Sequence, residues 1–460
     1  MSDSSAMPEN LPEEWRRAFA WVESELGGQI VSAQRQARWR PAWFLDLERG
    51  GETVPLYFRG DRAEADHGAY ALEHEMRVLQ VLEGHEVPVP HIYGFCPEPR
   101  GILMERCPGR ANLLNAADDS ERESVLDHYM EILARIHAID PAAFEAIGLE
   151  RPTSPQSLGL GDFDIWERGF RKNKCRPEPL IEFVIGWVRR NVPHEREKVS
   201  FLCADAGQFL FENGRVTTVL DLELACFGDP AADLGGMRCR DLSEPLGDLT
   251  RAVHRYEAIT GEPVDRSVID FHTVRFSIVT PLATAHLVAN PPPGLDFVQY
   301  LAWYLVYGRA PIEVIAREMQ LELQPVEVPM AEPSRYSQGH DAMQAMLAGH
   351  AQAAVEERPG DEFAAYRFDA AQRVAEYLKR ADRMGPALEA DDLDDVSELL
   401  GHRPDSWQRA DEELEDLVLE ADPALDGPLV AYFHKRMLRE EALIDPVMRE
   451  LRGATIQRIG

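Results

Sequence analysis

Two carboxylates and an amide stand close to one tight turn of this chain. Asn213-Gly214 lies between Phe209-Leu210-Phe211-Glu212 and Arg215-Val216-Thr217-Thr218-Val219-Leu220. An Asn-Gly pair between two strand-like runs is the strongest short-range hairpin signal, because both central residues of a type I′ turn need positive φ. Pairing outward from that turn makes partner positions sum to 427, which sets Gln208 opposite Val219 and Ala206 opposite Asp221. Cross-strand partners share a face, so Gln208 and Asp221 are expected on one face with Asp205 at the mouth of the hairpin. Oxygen acceptors gathered this way suit a hard cation such as Mg²⁺, with one carboxylate left over to position a hydroxyl nucleophile. A surface hairpin with solvated acids is the plain alternative.

The rest of the chain must hold these residues in place. At 460 residues it is long enough for two or three domains, and 45% hydrophobic with 28% charged residues describes an ordinary soluble composition. The net charge of −32 argues against nucleic acid as a partner, since phosphate binding needs basic surface. A cationic substrate would be attracted, although solubility explains the charge more simply. The opening MSDSSAMPENLPEEW has no basic or apolar leader segment, and no apolar run approaches the roughly 20 residues that span a bilayer. Six scattered cysteines without a C-x-x-C pair suggest neither a disulfide framework nor a zinc site. A cytoplasmic protein with no membrane association is expected.

In chain order, residues 11–26 read as an amphipathic helix, and strands follow at Gly27 to Val31, Trp43 to Leu47 and Val54 to Phe58. Arg35, Arg38 and Arg40 form a basic cluster between the first two strands, where phosphate contact is reasonable in so acidic a chain. Gly27-Gly28 is weak as a phosphate loop, and no G-x-x-x-x-G-K-[ST] occurs. The helix from Tyr70 to Glu83 carries Leu72, Met76, Leu79 and Leu82 as its apolar stripe, with Glu75 on it. A carboxylate against a buried face needs a cationic partner. A strong helix runs from Glu121 to Ile139, and shorter ones cover Asp164 to Phe170 and Pro179 to Arg190. Residues 245–322 are helical with a break at Pro291 to Gly294, where Trp303, Tyr304 and Tyr307 read as core. After a Pro-rich connector, residues 341–460 read as four or five acidic helices, with His434, Glu440 and Glu441 on a solvated face because the Glu-x-x-His spacing of a bundle metal site is absent.

Asp221-Leu222-Glu223 followed by Gly228-Asp229-Pro230-Ala231-Ala232-Asp233-Leu234 resembles the catalytic core of the aminoglycoside phosphotransferase-like family. These are small-molecule kinases with a protein-kinase-like fold. The resemblance covers about residues 25–320 and implies an α+β fold: an N-lobe antiparallel sheet plus helix, a mostly helical C-lobe and an added C-terminal helical domain. It also implies ATP and Mg²⁺ as cofactors. Arg59 would contact the nucleotide phosphates with Glu75 holding it, and backbone groups near Met104, Glu105 and Arg106 would bind adenine. Asp221 and Gln208 would ligate Mg²⁺, Asp205 would be the catalytic carboxylate, and Glu223 and Asp229 would support the site. His137 would be structural. The first half of the motif departs from the pattern: Cys203 and Ala204 stand where His and Gly are usual. The loop after Asp205 is two residues shorter, which sets Gln208 in the place of the Asn metal ligand.

The domains implied are an N-terminal helix over residues 1–25, a nucleotide-binding N-lobe over 26–107 and a catalytic and substrate-binding C-lobe over 108–322. A linker over 323–340 and an acidic helical extension over 341–460 complete the chain. The implied function is ATP-dependent phosphoryl transfer to an alcohol group of a small molecule. The alternative is a catalytically silent kinase-like module that binds nucleotide or a partner. The C-terminal helices are candidates for a protein partner or self-association.

Overall fold

The computed structural model describes residues 11–38, 40–61, 70–328, 330–335, 337–420 and 422–460. It is an α+β protein on a kinase-like plan, with an N-terminal sheet-and-helix lobe, a mostly helical C-lobe and an additional C-terminal helical region. The chain divides into two compact units, one made of residues 1–152, 198–233 and 245–263 and the other of residues 153–197, 234–244 and 264–460.

The first unit starts with helix α1 (Glu13–Leu26), which ends at Gly27 in the left-handed conformation. Gly28 then lies where a Cβ would be 2.6 Å from the Glu48 carbonyl oxygen. A helix cap and a close backbone approach account for the glycine pair, without any phosphate loop. Five antiparallel strands follow in the order β1-β2-β3-β5-β4: β1 (Gln29–Arg35), β2 (Ala42–Arg49), β3 (Glu52–Gly60), β4 (Ile92–Pro97) and β5 (Arg100–Glu105). One sheet face buries Trp43, Leu45, Leu56 and Phe58 against Trp15, Phe19 and Val22 of α1, with Trp15 edge-on to Phe58 at 5.9 Å. Side chains alternate along a strand, so Arg59, next to Phe58, points to the opposite face. Helix α2 (Leu72–Gly84) buries Leu72, Glu75, Val78, Leu79 and Leu82.

Helix α3 (Asp119–His137) begins at Asp118, whose side chain accepts from the Glu121 N–H, and buries the expected face of Val125, Tyr129, Ile132, Leu133 and Ile136. Short strands β6 (Ser200–Leu202) and β9 (Cys226–Gly228) pair with each other and bracket the hairpin β7 (Phe209–Glu212) and β8 (Arg215–Val219). Asn213 and Gly214 adopt the positive φ expected of the turn, 52° and 73°. The register differs from the expected one. Glu212 pairs with Arg215 and Phe211 with Val216, but Thr217 is bulged, so Leu210 pairs with Thr218 and Phe209 with Val219. Beyond the bulge every partner is displaced by one, and the Gln208 carbonyl accepts from the Leu220 N–H at 3.0 Å. Gln208 therefore does not lie opposite Val219.

The second unit is helical. Helices at Phe163–Asn173, Pro179–Arg190, Arg266–Ser277, Val279–Ala289 and Phe297–Glu318 cluster with four more at His340–Glu356, Glu362–Leu400, Trp407–Glu420 and Asp426–Ile444. Tyr304 and Tyr307 are buried, as expected of core residues. The short helix Pro155–Leu160 occupies a stretch that reads as linker, opened by a Ser154–Ser157 capping box. His434 is buried, and burial pushes the Glu440 carboxyl up to about 7. That helix face packs against its neighbours instead of being solvated. Among the described residues no group of three or more His, Cys, Asp or Glu is arranged to hold a metal, and no helix is long and apolar enough to cross a membrane.

Candidate active site

The functional side chains are assembled within the first unit from β3, α2, the β1–β2 connection and the segments flanking the hairpin. Arg59 is the hub. Its Nε donates to Glu75 Oε2 at 2.8 Å, and its Nη2 donates to Asp221 Oδ1 and lies 3.4 Å from Glu223 Oε2. Arg59 and Glu75 are only 5% and 2% exposed. Burial alone would lower the guanidinium's pKa, but Asp221, Glu75 and Glu223 outweigh it and hold Arg59 firmly charged. Burial, with help from Asp221 and Glu223, raises the Glu75 carboxyl to about 7 against the pull of Arg59. Glu223 has a second cation: Arg40 donates to it from Nη2. Next to Glu75, His74 Nε2 lies 2.7 Å from the Ala225 carbonyl oxygen and must donate to it, which ties α2 to the segment carrying Asp221 and Glu223.

Asp205 lies in a loop held from behind. The Asp205 N–H donates back to the Cys203 carbonyl at 2.9 Å across Ala204, whose φ is +64°. This is the rare and strained positive-φ γ-turn. Asp233 braces it, with Oδ2 accepting from the Cys203 N–H and Oδ1 from the Ala204 N–H, each at 2.8 Å. A carboxylate only accepts, so His137 Nε2, 3.0 Å from Asp233 Oδ2, carries a proton, and the Tyr256 hydroxyl lies 2.7 Å from Nδ1. His137 is thus a buried strut. The Tyr129 hydroxyl accepts from the Gly207 N–H at 2.8 Å on the far side of Asp205. Gln208 Nε2 donates to Asp205 Oδ2 at 2.9 Å.

The structure therefore brings Arg59, Glu75, Asp221 and Glu223 into one cluster and Asp205 and Gln208 into direct contact. Asp229 is expected to support the site. Asp229 Oδ1 accepts from the Ala231 N–H and starts the next helix, whereas Asp233 holds the loop. At the hinge, the Glu105 N–H donates to the His91 carbonyl and the Arg106 N–H to the Pro55 carbonyl, while Arg106 Nη2 donates to Asp46 Oδ1 at 2.6 Å. The amide protons of Glu105 and Arg106 are thus taken up inside the sheet. Met104 is buried within β5. Arg40, Tyr129 and Asp233 are the participants that sequence reasoning did not place. Asp233 was visible as part of the Gly228-to-Leu234 run, and Arg40 as part of a basic cluster.

Residues 41–267 match the model of the phosphotransferase enzyme family. The chain resembles that family. It is also 28% identical over 180 residues to acyl-CoA dehydrogenase family member 10 of Mus musculus, covering 36% of this chain and 16% of that protein. To acyl-CoA dehydrogenase family member 11 of Rattus norvegicus it is 25% identical over 296 residues, covering 61% of this chain and 35% of that protein. The chain thus spans about a third or less of these longer relatives. Among solved structures it is similar to a macrolide 2′-phosphotransferase of Brachybacterium faecium, with 20% identity, a TM-score of 0.43, and coverage of 60% of this chain and 99% of that one.

The two carboxylates of Asp221-Leu222-Glu223 are too few for a protein-only metal cage. They fit Mg²⁺, which is usually held by one or two carboxylates together with substrate phosphates.

Proposed function

We propose that this phosphotransferase-like chain moves the γ-phosphoryl group of ATP to an alcohol group of a small molecule, with Mg²⁺. The observation that carries the reading is the convergence of Arg59, Glu75, Asp221 and Glu223 beside a braced loop bearing Asp205. Phosphoryl transfer needs positioning and charge neutralisation more than covalent help from the protein, and this cluster supplies both.

Arg59, oriented by Glu75, meets the nucleotide phosphates, and carbonyl groups near Met104, Glu105 and Arg106 face the adenine. Asp221 and the Gln208 carbonyl oxygen, with Glu223 beside them, would hold Mg²⁺, whose chemistry would be charge neutralisation at the phosphates. Asp205 orients the acceptor hydroxyl and takes its proton. Asp233 and Tyr129 fix the loop so that Asp205 needs little reorganisation. Residues 26–107 carry nucleotide binding and residues 108–322 catalysis and acceptor binding, with the protein acting in the cytoplasm.

Asp205→Asn and Asp221→Ala are expected to lower transfer by about 10²-fold or more, read as ATP turnover against a panel of small hydroxyl compounds, with the circular dichroism of the wild type. Turnover retained by either variant removes that residue from the mechanism. A nucleotide-binding module without turnover is the second reading. It is favoured by the Gln208–Asp205 hydrogen bond, which engages one oxygen of the proton acceptor, and would be recognised as ATP binding with no acceptor turning over.

A further inference from the structure

Arg40 lies between β1 and β2, yet it is only 2% exposed. Its Nη2 reaches Glu223 Oε2, the oxygen that also lies 3.4 Å from Arg59 Nη2. Arg59 in turn holds Asp221 and Glu75. Among the described residues, two guanidinium groups therefore face the carboxylates of Asp221 and Glu223. A divalent cation approaching these carboxylates meets Arg59 at Asp221 Oδ1 and both Arg59 and Arg40 at Glu223 Oε2, in a partly buried site where water screens them poorly. A nucleotide changes this balance. A guanidinium is a planar fork that matches phosphate oxygens, and a triphosphate offers several negative charges against the single one of Glu223.

We propose that Arg40 is a second nucleotide-phosphate ligand that rests on Glu223 when no nucleotide is bound, and that it keeps the Asp221–Glu223 carboxylates closed to free divalent cations. Metal entry at this site is then conditional on nucleotide: phosphates draw Arg40 and Arg59 away, and the released carboxylates meet the cation together with the phosphate oxygens. The inference rests on the nucleotide site proposed above. It adds a residue from the β1–β2 connection to it and an order of events.

The test uses the full chain, Mn²⁺ binding by electron paramagnetic resonance without nucleotide, and Mg²⁺·AMP-PNP affinity by calorimetry. Wild type is expected to bind Mg²⁺·AMP-PNP and, at about 1 mM Mn²⁺ without nucleotide, a level at which weak carboxylate sites fill, to take up no Mn²⁺ beyond the surface background that Glu223→Gln also shows. Arg40→Gln is expected to bind Mg²⁺·AMP-PNP about tenfold or more weakly, the loss of one charge-assisted contact, and to gain nucleotide-free Mn²⁺ binding. Adding Glu223→Gln should abolish that gained Mn²⁺ signal. Arg40→Lys, which keeps the charge in case the glutamine variant fails to fold, should still exclude Mn²⁺ while losing part of the nucleotide affinity. A merely structural anchor would lower nucleotide affinity without opening a Mn²⁺ site, so a folded Arg40→Gln with no Mn²⁺ binding overturns the proposal. So does wild-type nucleotide affinity in both Arg40 variants. Wild type that binds no Mg²⁺·AMP-PNP at all overturns the nucleotide site itself, and this inference with it.

Discussion

At the scale of single residues, the site is a problem of buried charge. Arg59 and Glu75 are nearly inaccessible to water and satisfy each other at 2.8 Å. Without Glu75, Arg59 still keeps Asp221 and Glu223, so Glu75→Ala is expected to cost about 1.5–3 kcal/mol in denaturant unfolding, the loss of one buried hydrogen bond to a charged group. Ala204 tells the opposite story. Its φ of +64° is one that a side chain resists, and a left-handed L-residue costs about 1–2 kcal/mol. Glycine relieves that strain but loses more backbone entropy, so Ala204→Gly should stabilise by about 0.5–1 kcal/mol, visible as a raised denaturation midpoint with unchanged slope. Asp205, Asp221 and Glu223 were legible in the sequence because their spacing around Asn213-Gly214 and the family pattern coincide. The need of Glu75 for a cation was legible from its place on the α2 stripe. Arg40 was read only within a basic cluster suited to phosphate; its burial and its contact with Glu223, far along the chain, were not legible locally.

At the scale of elements, the hairpin shows where local reasoning ends. Asn-Gly specified the turn, but nothing local specifies the bulge at Thr217. Its causes are tertiary. The Thr217 hydroxyl donates to the Pro108 carbonyl at 2.9 Å, the Val216 N–H donates to His128 Nδ1 at 3.0 Å, and Arg110 forms a bridge to Phe211. These contacts pull one residue out of the ladder and shift Gln208 relative to β8, so its amide meets Asp205 across the loop. The shortened loop is held by α3 through Tyr129. Tyr129→Phe leaves the buried Gly207 N–H without its acceptor and should cost about 1–3 kcal/mol, measured by thermal unfolding. Loss of ATP turnover should accompany it, because Asp205 sits within the released loop. Unchanged turnover would mean that the loop keeps its shape without this strut.

At the scale of the whole molecule, helices were legible from their apolar periodicity, whereas the faces they bury in the second unit depend on partners far away in sequence. Glu440 illustrates this. It was read as solvated, yet it faces Arg436, Asp392, Arg176, Asp411, Tyr304 and Tyr377, and burial lifts its carboxyl from 4.5 to about 7. A carboxyl raised by folding favours the protonated state in the native protein. Its contribution is full below pH about 4.5 and is lost as pH rises through about 7. Glu440→Gln should therefore raise the melting temperature by a few degrees at pH 8 and leave it nearly unchanged at pH 4.5, where both side chains are neutral. The central claim, that β3, α2 and the hairpin flanks build a metal-dependent nucleotide site, is tested most directly by calorimetry of ATP binding with and without Mg²⁺, on wild type and on Asp221→Ala. The account predicts Mg²⁺-dependent binding in wild type and loss of that dependence in the variant. Binding that is indifferent to Mg²⁺ in wild type, or equally Mg²⁺-dependent in Asp221→Ala, would contradict it.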